Sequence, residues 1–166
     1  EPARNFVSRY FDGDYRVIPH GVDLERFSPK VAPIDKYNDG KLNILFVSRL
    51  EKRKGAKYLL QAYRKAKKDC PPSRLIIVGP GDKAQREYER WVRAVKLEDV
   101  VFTGHVPYAD LPRYYHTADI FSIPAVGQES FGIVLLEAMA AGKPIVATNI
   151  EGYASVVKSG AEGILV

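Results

Sequence analysis

Two glutamates, Glu129 and Glu137, lie eight positions apart around a predicted helix start. The apolar and alanine-rich residues 131–141 predict the helix, with Ser130 as its N-cap, so that Glu129 precedes it and Glu137 lies two turns inside. At about 1.5 Å of rise per residue, Ser130 and Glu137 are roughly 10 Å apart, which is similar to the span of a sugar diphosphate. The spacing therefore suggests a ligand in which a sugar is linked to a nucleotide.

The predicted helix start could also bind an anion. The amides of Phe131, Gly132 and Ile133 would lack partners within the helix, and Gly132 would let a ligand approach the backbone closely. Alternatively, Glu129 only favours the helix dipole and Glu137 lies on a solvated face. However, the helix is apolar nearly all round, which predicts that it is buried and that the carboxylate of Glu137 needs a partner.

Two cations could meet the same ligand. Arg49 ends a predicted strand, and Lys54 opens a predicted helix beside Gly55, so both side chains can converge on a diphosphate and stabilise negative charge that builds on it. Lys52 and Arg53, which lie between them, are expected to remain solvated. Taken without Lys54, Arg49 could equally be one half of a surface ion pair.

Apolar segments of strand length alternate with amphipathic helices along the chain. The predicted strands are residues 43–49, 75–78, 100–103, 119–124, 144–148 and 163–166. The predicted helices are residues 6–11, 55–69, 83–96, 108–117, 131–141 and 153–159. This alternation predicts an α/β fold, a doubly wound parallel sheet of about six strands that is Rossmann-like, with ligand at the carboxyl ends of the strands. Arg49, Gly79, Gly104 and the turn before Glu129 lie at such ends.

Composition indicates one globular domain and excludes several classes. Of 166 residues, 46% are hydrophobic and 27% are charged, which does not fit a disordered or fibrous chain. The sequence has no apolar run that could span a bilayer and no signal peptide pattern, and its one cysteine, Cys70, suits a reducing compartment, so we expect a cytoplasmic location. The net charge of +5 favours anionic donors or peripheral contact with an anionic inner membrane face, and no nucleic-acid-binding module accompanies it.

The sequence lacks the motifs of several other classes of enzyme. The turn at residues 79–82 has neither the P-loop pattern nor the Rossmann G-x-G-x-x-G, which argues against an NTPase or a dehydrogenase. His20, His105 and His116 do not have metal-ligand spacing, so they predict no metal site. No cofactor is expected besides the donor substrate. His105 is expected to form packing or hydrogen-bonding contacts.

Four segments in order resemble glycosyltransferase family 4, whose retaining enzymes have the GT-B architecture of two Rossmann-like domains around a cleft. The segments are residues 43–55, 75–82 and 101–106, and the E-x7-E run at 129–137. Residues 127–142 are especially similar to phosphatidylinositol mannosyltransferases, which use GDP-mannose. The resemblance implies the donor-binding half of a retaining hexosyltransferase.

The resemblance also implies roles for individual residues. Arg49 and Lys54 would bind the donor diphosphate and Glu129 would contact the transferred sugar, and we class these three as catalytic. Glu137 would hold the ribose hydroxyls, backbone near Val106 would read the nucleobase edge, and Gly79 would line the pocket. The full set expected to bind the donor is Gly79, Val106, Ser130, Phe131, Gly132, Ile133 and Glu137. No metal is expected, because the two cations would neutralise the leaving diphosphate.

The resemblance divides the chain in two. Residues 1–23 would be the remnant of a preceding domain and a crossing segment, with His20 where the family usually has Asn, and residues 24–166 would be the donor-binding domain without its C-terminal helices. The acceptor, a lipid or a glycan, would then bind to an absent N-terminal domain, and the chain alone would be inactive. Pro107 and Tyr108 replace acidic residues that help to read guanine, and residues 152–157 depart from the family's G-x-x-E pattern. A UDP-sugar such as UDP-glucose therefore stays an alternative donor, and a GT-B epimerase or a non-catalytic binding module stays an alternative class.

Overall fold

The centre of the molecule is a six-stranded sheet. The computed structural model describes residues 2–70 and 72–166. Its strands are β1 (Leu42–Val47), β2 (Ser73–Val78), β3 (Val100–Gly104), β4 (Ile120–Ile123), β5 (Ile145–Ala147) and β6 (Gly163–Leu165). Their order in space is β3-β2-β1-β4-β5-β6, and every neighbouring pair is parallel. The predicted parallel sheet is confirmed, with each strand within two residues of its expected bounds.

Helices connect the strands. They are α1 (Pro2–Val7), α2 (Ala56–Ala66), α3 (Asp82–Ala94), α4 (Leu111–Thr117), α5 (Ile133–Ala140) and α6 (Glu151–Ala154), with short 3-10 turns at Asp35–Tyr37 and Lys52–Lys54. Connections between parallel strands are right-handed as a rule, so this strand order puts α2 and α3 on one face of the sheet and α4 and α5, which contact each other, on the other face. This is the predicted doubly wound arrangement.

Two predicted helices were misplaced. The first helix ends at Val7, and residues 8–11 form hydrogen-bonded turns instead. The last helix, α6, begins two residues earlier than predicted and ends at Ala154. The amides of Val156 and Val157 still bond to the carbonyl of Tyr153, so the chain leaves the helix through one further turn.

The core lies on both faces of the central strands. All six positions of β2 are buried, and so are Leu45, Phe46 and Phe121 on β1 and β4. Strands covered on both faces are apolar along their length rather than alternating, which is why the sequence shows continuous apolar runs here. Among the residues that the structure describes, no helix has the length and apolarity needed to cross a membrane.

The strand order reverses between β1 and β4. From β1 the chain adds β2 and then β3 on one side, and from β4 it adds β5 and then β6 on the other. The loops that follow β1 and β4 therefore lie on either side of the switch point at the carboxyl edge, which is the crevice where ligands bind in open α/β sheets. The predicted cations follow β1, and Glu129 follows β4.

Candidate functional site

The loops after β1 and β4 are joined by direct backbone contacts. The amide of Val126 donates to the carbonyl of Arg53 at 2.8 Å. Gly55 has a left-handed φ of 79°, and a Cβ at that position would come within 1.7 Å of the Pro124 carbonyl oxygen. Only glycine allows this approach. The 3-10 turn of the first loop and the Glu129 turn of the second therefore form one structural unit across the crevice.

Charged side chains of the two loops form a continuous ion-pair network. Arg49 Nη1 lies 2.8 Å from Glu51 Oε1, and Arg53 Nε donates to Glu51 Oε2 at 2.9 Å. Arg53 Nη1 also pairs with Glu129 Oε1, and Lys54 Nζ lies 2.6 Å from the same oxygen. Cations and anions alternate along this network. Glu129, whose side chain is only 9% exposed, is held between two positive charges.

The network partly matches the sequence prediction and partly corrects it. Arg49 and Lys54 both belong to it, at its two ends; Arg49 is 64% exposed at the side chain and Lys54 is 16% exposed. Lys52 is exposed, as expected. The expectation that Arg53 remains solvated was wrong, because the 3-10 turn brings its guanidinium against the Glu129 turn.

The start of α5 also differs from the prediction. The helix begins at Ile133, its N-cap is Gly132, and no side chain caps it, so Ser130 is not the N-cap. Ser130 is exposed, and Phe131 and Gly132 precede the helix, so that of the three predicted amides only that of Ile133 belongs to the first turn. Glu137 consequently lies about one turn inside the helix rather than two.

A buried tyrosine explains this late start. Gly132 has a φ of 86°, and a Cβ there would come within 2.7 Å of the ring of Tyr153. The backbone of Gly152, next to Tyr153, packs against the carbonyl of Glu129 in the same way. Gly152 and Tyr153, at α6, thus pack against the segment that contains Glu129 and Gly132. They belong to the segment in which the sequence departs from the family pattern.

The hydroxyl of Tyr153 has no hydrogen-bond partner among the described residues. Burial, and then the negative charge of Glu129, raise the pKa of Tyr153, while the charge of Arg53 acts in the opposite direction. Tyr153 is therefore a neutral phenol beneath the charged network.

Glu137 has a different environment. It is buried, with 4% of its surface exposed, and the hydroxyl of fully buried Tyr115 donates to its Oε2 at 2.7 Å. Burial raises the pKa of Glu137, and the hydrogen bond from Tyr115 partly opposes that shift. The prediction that this carboxylate needs a partner is confirmed, although no sequence pattern singled out Tyr115.

A cavity of about 580 Å³ opens beside Glu129. It lies between the turn at residues 127–130, α1 and the start of α6, and Arg9 adds a cation to its wall. Small-molecule sites typically have volumes of about 300–1,000 Å³. The cavity is therefore large enough for part of a nucleotide sugar.

The remaining predicted residues lie elsewhere at the carboxyl edge of the sheet, and Val106 does not line the cavity beside Glu129. Gly79 follows β2 and is buried against the carbonyl of Ser48. Val106 lies two residues beyond β3 and lines a separate cavity of about 360 Å³ with His105. The ring of Phe131 lies 5.8 Å from that of His20, which brings residues of the predicted crossing segment against the start of the signature.

Within residues 2–70 and 72–166, no three His, Cys, Asp or Glu side chains are grouped so that they could hold a metal ion. The structure therefore suggests no metal ligands among these residues. The cations that face the crevice, Arg49, Arg53 and Lys54, come from the first loop.

Residues 29–166 match the family model described as glycosyl transferases group 1, which is well over half of the chain. The chain belongs to this family. The resemblance that the four motifs suggested is thereby confirmed at the level of the family.

Curated relatives place this glycosyl transferase group 1 chain near enzymes that act on inositol compounds. The phosphatidyl-myo-inositol mannosyltransferase of Mycobacterium tuberculosis is 37% identical over 165 residues, which are 99% of this chain and 43% of that protein. The D-inositol 3-phosphate glycosyltransferase of Geodermatophilus obscurus is 33% identical over 181 residues, covering 100% of this chain and 40% of the relative. The chain thus spans less than half the length of these curated relatives.

Solved structures agree with the assignment of this group 1 chain. Sucrose-phosphate synthase from Thermosynechococcus elongatus superimposes with a TM-score of 0.83 and 28% identity, over 99% of this chain and 43% of that one. HepE of Anabaena, solved in complex with UDP and glucose, gives a TM-score of 0.78 and 26% identity, over 91% of this chain and 42% of that one. The predicted Rossmann-like half of a GT-B glycosyltransferase is confirmed as the fold.

Proposed function

We propose that this glycosyltransferase domain binds GDP-mannose and serves a retaining transfer of mannose to a lipid or a glycan. The observation that carries the proposal is the joined pair of loops at the crevice between β1 and β4. It links Arg49, Lys54 and Glu129 in one ion-pair network, and Glu129 also lines a cavity of about 580 Å³. Similarity to phosphatidyl-myo-inositol mannosyltransferases supports mannose as the sugar.

In the proposed complex, Arg49 and Lys54 bind the donor diphosphate. Lys54 is paired with Glu129 in the structure. An incoming diphosphate therefore has to displace the carboxylate of Glu129 from the ammonium group of Lys54. Cations that face the leaving diphosphate stabilise the negative charge that it gains as the glycosidic bond breaks. Glu129, released from Lys54, is then available to the hydroxyl groups of the sugar.

Glu137 is proposed to hold the ribose. One of its carboxylate oxygens accepts a hydrogen bond from the hydroxyl of Tyr115. A carboxylate has further lone pairs that can accept hydrogen bonds from the ribose hydroxyls. The hydrogen bond from Tyr115 fixes the orientation of the group. Gly79, Val106 and residues 130–133 surround the donor in this proposal.

A UDP-sugar is the second candidate donor. Two observations favour it: HepE, 26% identical, was solved with UDP and glucose, and Pro107 and Tyr108 stand where acidic residues would help to read guanine. Both candidates use the same diphosphate site, so they differ only in the base and the sugar.

The acceptor would bind outside residues 24–166. We propose that residues 1–23 are the end of a preceding domain and a crossing segment. Several apolar side chains in this part of the chain are exposed, as expected of a surface that packs against more protein; they are Phe6, Tyr10, Phe11 and Ile18. The basic surface of the chain would favour contact with an anionic membrane face.

Calorimetric titration with GDP, GDP-mannose, UDP and UDP-glucose tests the proposal. We expect binding of the guanine pair, and we expect Lys54→Ala to weaken it at least about tenfold. Lys52→Ala is the matched control, since it removes the same charge from an exposed position of the same turn. Preferential binding of the uridine pair would replace mannose by a UDP-linked sugar, and the absence of binding to all four ligands would contradict the proposal.

A further inference from the structure

We propose that Arg53 is a positioning residue that keeps Glu129 in place when Lys54 turns to the donor diphosphate. The inference rests on the proposed function and assigns a role to a residue that the family motif does not include. Arg53 lies next to Lys54, yet its contacts are of a different kind.

Arg53 binds the Glu129 turn at three points. Its carbonyl accepts the amide of Val126 at 2.8 Å. Its Nη1 donates to the carbonyl of Gln128 at 3.0 Å and also pairs with the carboxylate of Glu129. Arg53 alone therefore contacts three residues of the second loop, which are Val126, Gln128 and Glu129.

The turn needs such support because its own backbone is strained and exposed. Gln128 has a φ of 58°, a left-handed backbone conformation that residues other than glycine rarely adopt. Val126, at the start of the turn, is 55% exposed and contributes little packing. The guanidinium of Arg53 thus stabilises a turn that side-chain packing does little to stabilise.

Lys54 and Arg53 bind the same oxygen of Glu129, but they differ in what else holds them. The ammonium of Lys54 is a point charge on a flexible stem, and among the described residues it pairs only with Glu129. The planar guanidinium of Arg53 is also held by Glu51, which accepts from Nε at 2.9 Å, and by the carbonyl of Gln128, which accepts from the same Nη1 that pairs with Glu129. A diphosphate can therefore draw Lys54 away and leave the pair between Arg53 and Glu129 intact.

Glu51 keeps Arg53 in place independently of Arg49. Arg49 and Arg53 bind different oxygens of Glu51. If Arg49 also turns to the diphosphate, the bond between Glu51 Oε2 and Arg53 persists. Arg53 is thus the cation of this network that is built to remain with Glu129 in the occupied site.

The test compares two affinities in one protein. Glu129 is proposed to contact the sugar, whereas Arg49 and Lys54 contact the diphosphate, so Arg53→Gln should lower the affinity for the nucleotide sugar and not that for the free nucleoside diphosphate. We define the affinity ratio as the affinity for the nucleotide sugar divided by the affinity for the nucleoside diphosphate. Calorimetry should give a ratio for Arg53→Gln that is about tenfold lower than that of the wild type. The ligands are the GDP and GDP-mannose pair or the UDP and UDP-glucose pair, whichever the wild type binds.

Two further variants separate positioning from general damage. Arg53→Lys keeps the charge but not the planar fork, so the ratio should recover only in part. Lys52→Gln removes a neighbouring exposed charge and should leave the ratio unchanged. An equal loss of both affinities in Arg53→Gln, or an unchanged ratio, would overturn the inference while leaving the proposed function intact. A wild type that binds none of the four ligands would overturn both.

Discussion

The two glutamates of the signature are held in opposite ways. Glu129 lies in a turn between two cations, Arg53 and Lys54. Glu137 lies in α5, buried, with the neutral hydroxyl of Tyr115 as its partner. A carboxylate that shares its charge with the flexible ammonium of Lys54 can give up that one partner when an anion arrives, whereas one fixed by a helix and a neutral hydrogen bond keeps its partner. The two halves of the motif thus suit a changing contact and a permanent one.

The largest expected effect comes from removing the permanent contact. Glu137→Ala should weaken binding of the donor about 100-fold, because it removes the proposed acceptor of the ribose hydroxyls and leaves the buried hydroxyl of Tyr115 with the more distant carbonyl of Val134, at 3.4 Å, in place of the carboxylate. Calorimetry with the better of GDP and UDP measures this loss. Tyr115→Phe keeps the carboxylate and should cost about tenfold or less. Wild-type affinity in Glu137→Ala would show that the two glutamates do not share one ligand.

Removing the exchangeable contact should have mixed effects. Glu129→Gln takes the anion away from Lys54, so the free nucleoside diphosphate should bind about threefold more tightly, since it no longer competes with a carboxylate. The nucleotide sugar should bind no more tightly than before, because its contact with the carboxylate is lost. The two titrations are made side by side at the same salt concentration. A parallel loss of both affinities would contradict the idea that Glu129 exchanges partners.

The pH dependence of stability should distinguish the buried glutamate. Burial raises the pKa of Glu137 above its usual value of 4.5, so the folded protein favours the protonated group. The resulting stabilisation is fully present below about pH 4.5 and is lost as the pH rises through the raised value. Glu137→Gln lacks this loss, so its free energy of unfolding should gain on that of the wild type as the pH rises.

Urea unfolding of both proteins between pH 4 and pH 8 measures that difference, and other titrating groups cancel in the comparison. If the free energy of unfolding of Glu137→Gln instead falls relative to that of the wild type as the pH rises, the folded protein prefers the charged carboxylate, and the contrast between the two glutamates is lost.

The smallest expected effect is at the exposed end of the network. Arg49 and Glu51 have side-chain exposures of 64% and 36%, and such pairs contribute little in water. Arg49→Ala should therefore change the free energy of unfolding by less than about 0.5 kcal/mol. Denaturant unfolding in buffer of moderate ionic strength measures it. A loss above about 1 kcal/mol would show that the network supports the fold throughout and not only the Glu129 turn.

Much of the fold could be predicted because its signals are local. Continuous apolar runs mark buried parallel strands, and all six strands lie close to their predicted positions. The cations after β1 and the glutamates after β4 could be placed at one edge for the same reason. These features depend on neighbours within a few residues along the chain.

The errors at the candidate site involve contacts between distant parts of the chain. Arg53 binds residues 75 and 76 positions away, and nothing in its immediate neighbours distinguishes it from exposed Lys52. The start of α5 depends on the ring of Tyr153, which favours a left-handed Gly132 over a cap at Ser130. Local preferences can nominate a cap or a solvated cation, but only the packed structure decides between such candidates.

The placement of Glu129 between Arg53 and Lys54 has a consequence for selectivity. Any anion that approaches Lys54 must compete with a carboxylate that is already part of the protein and is never diluted. A small anion such as inorganic phosphate has little besides its charge with which to displace it. A ligand that is also anchored by a base and a ribose gains affinity elsewhere and can complete the exchange. If Lys54 binds the donor as proposed, the carboxylate of Glu129 would select against simple anions and in favour of ligands with further contacts.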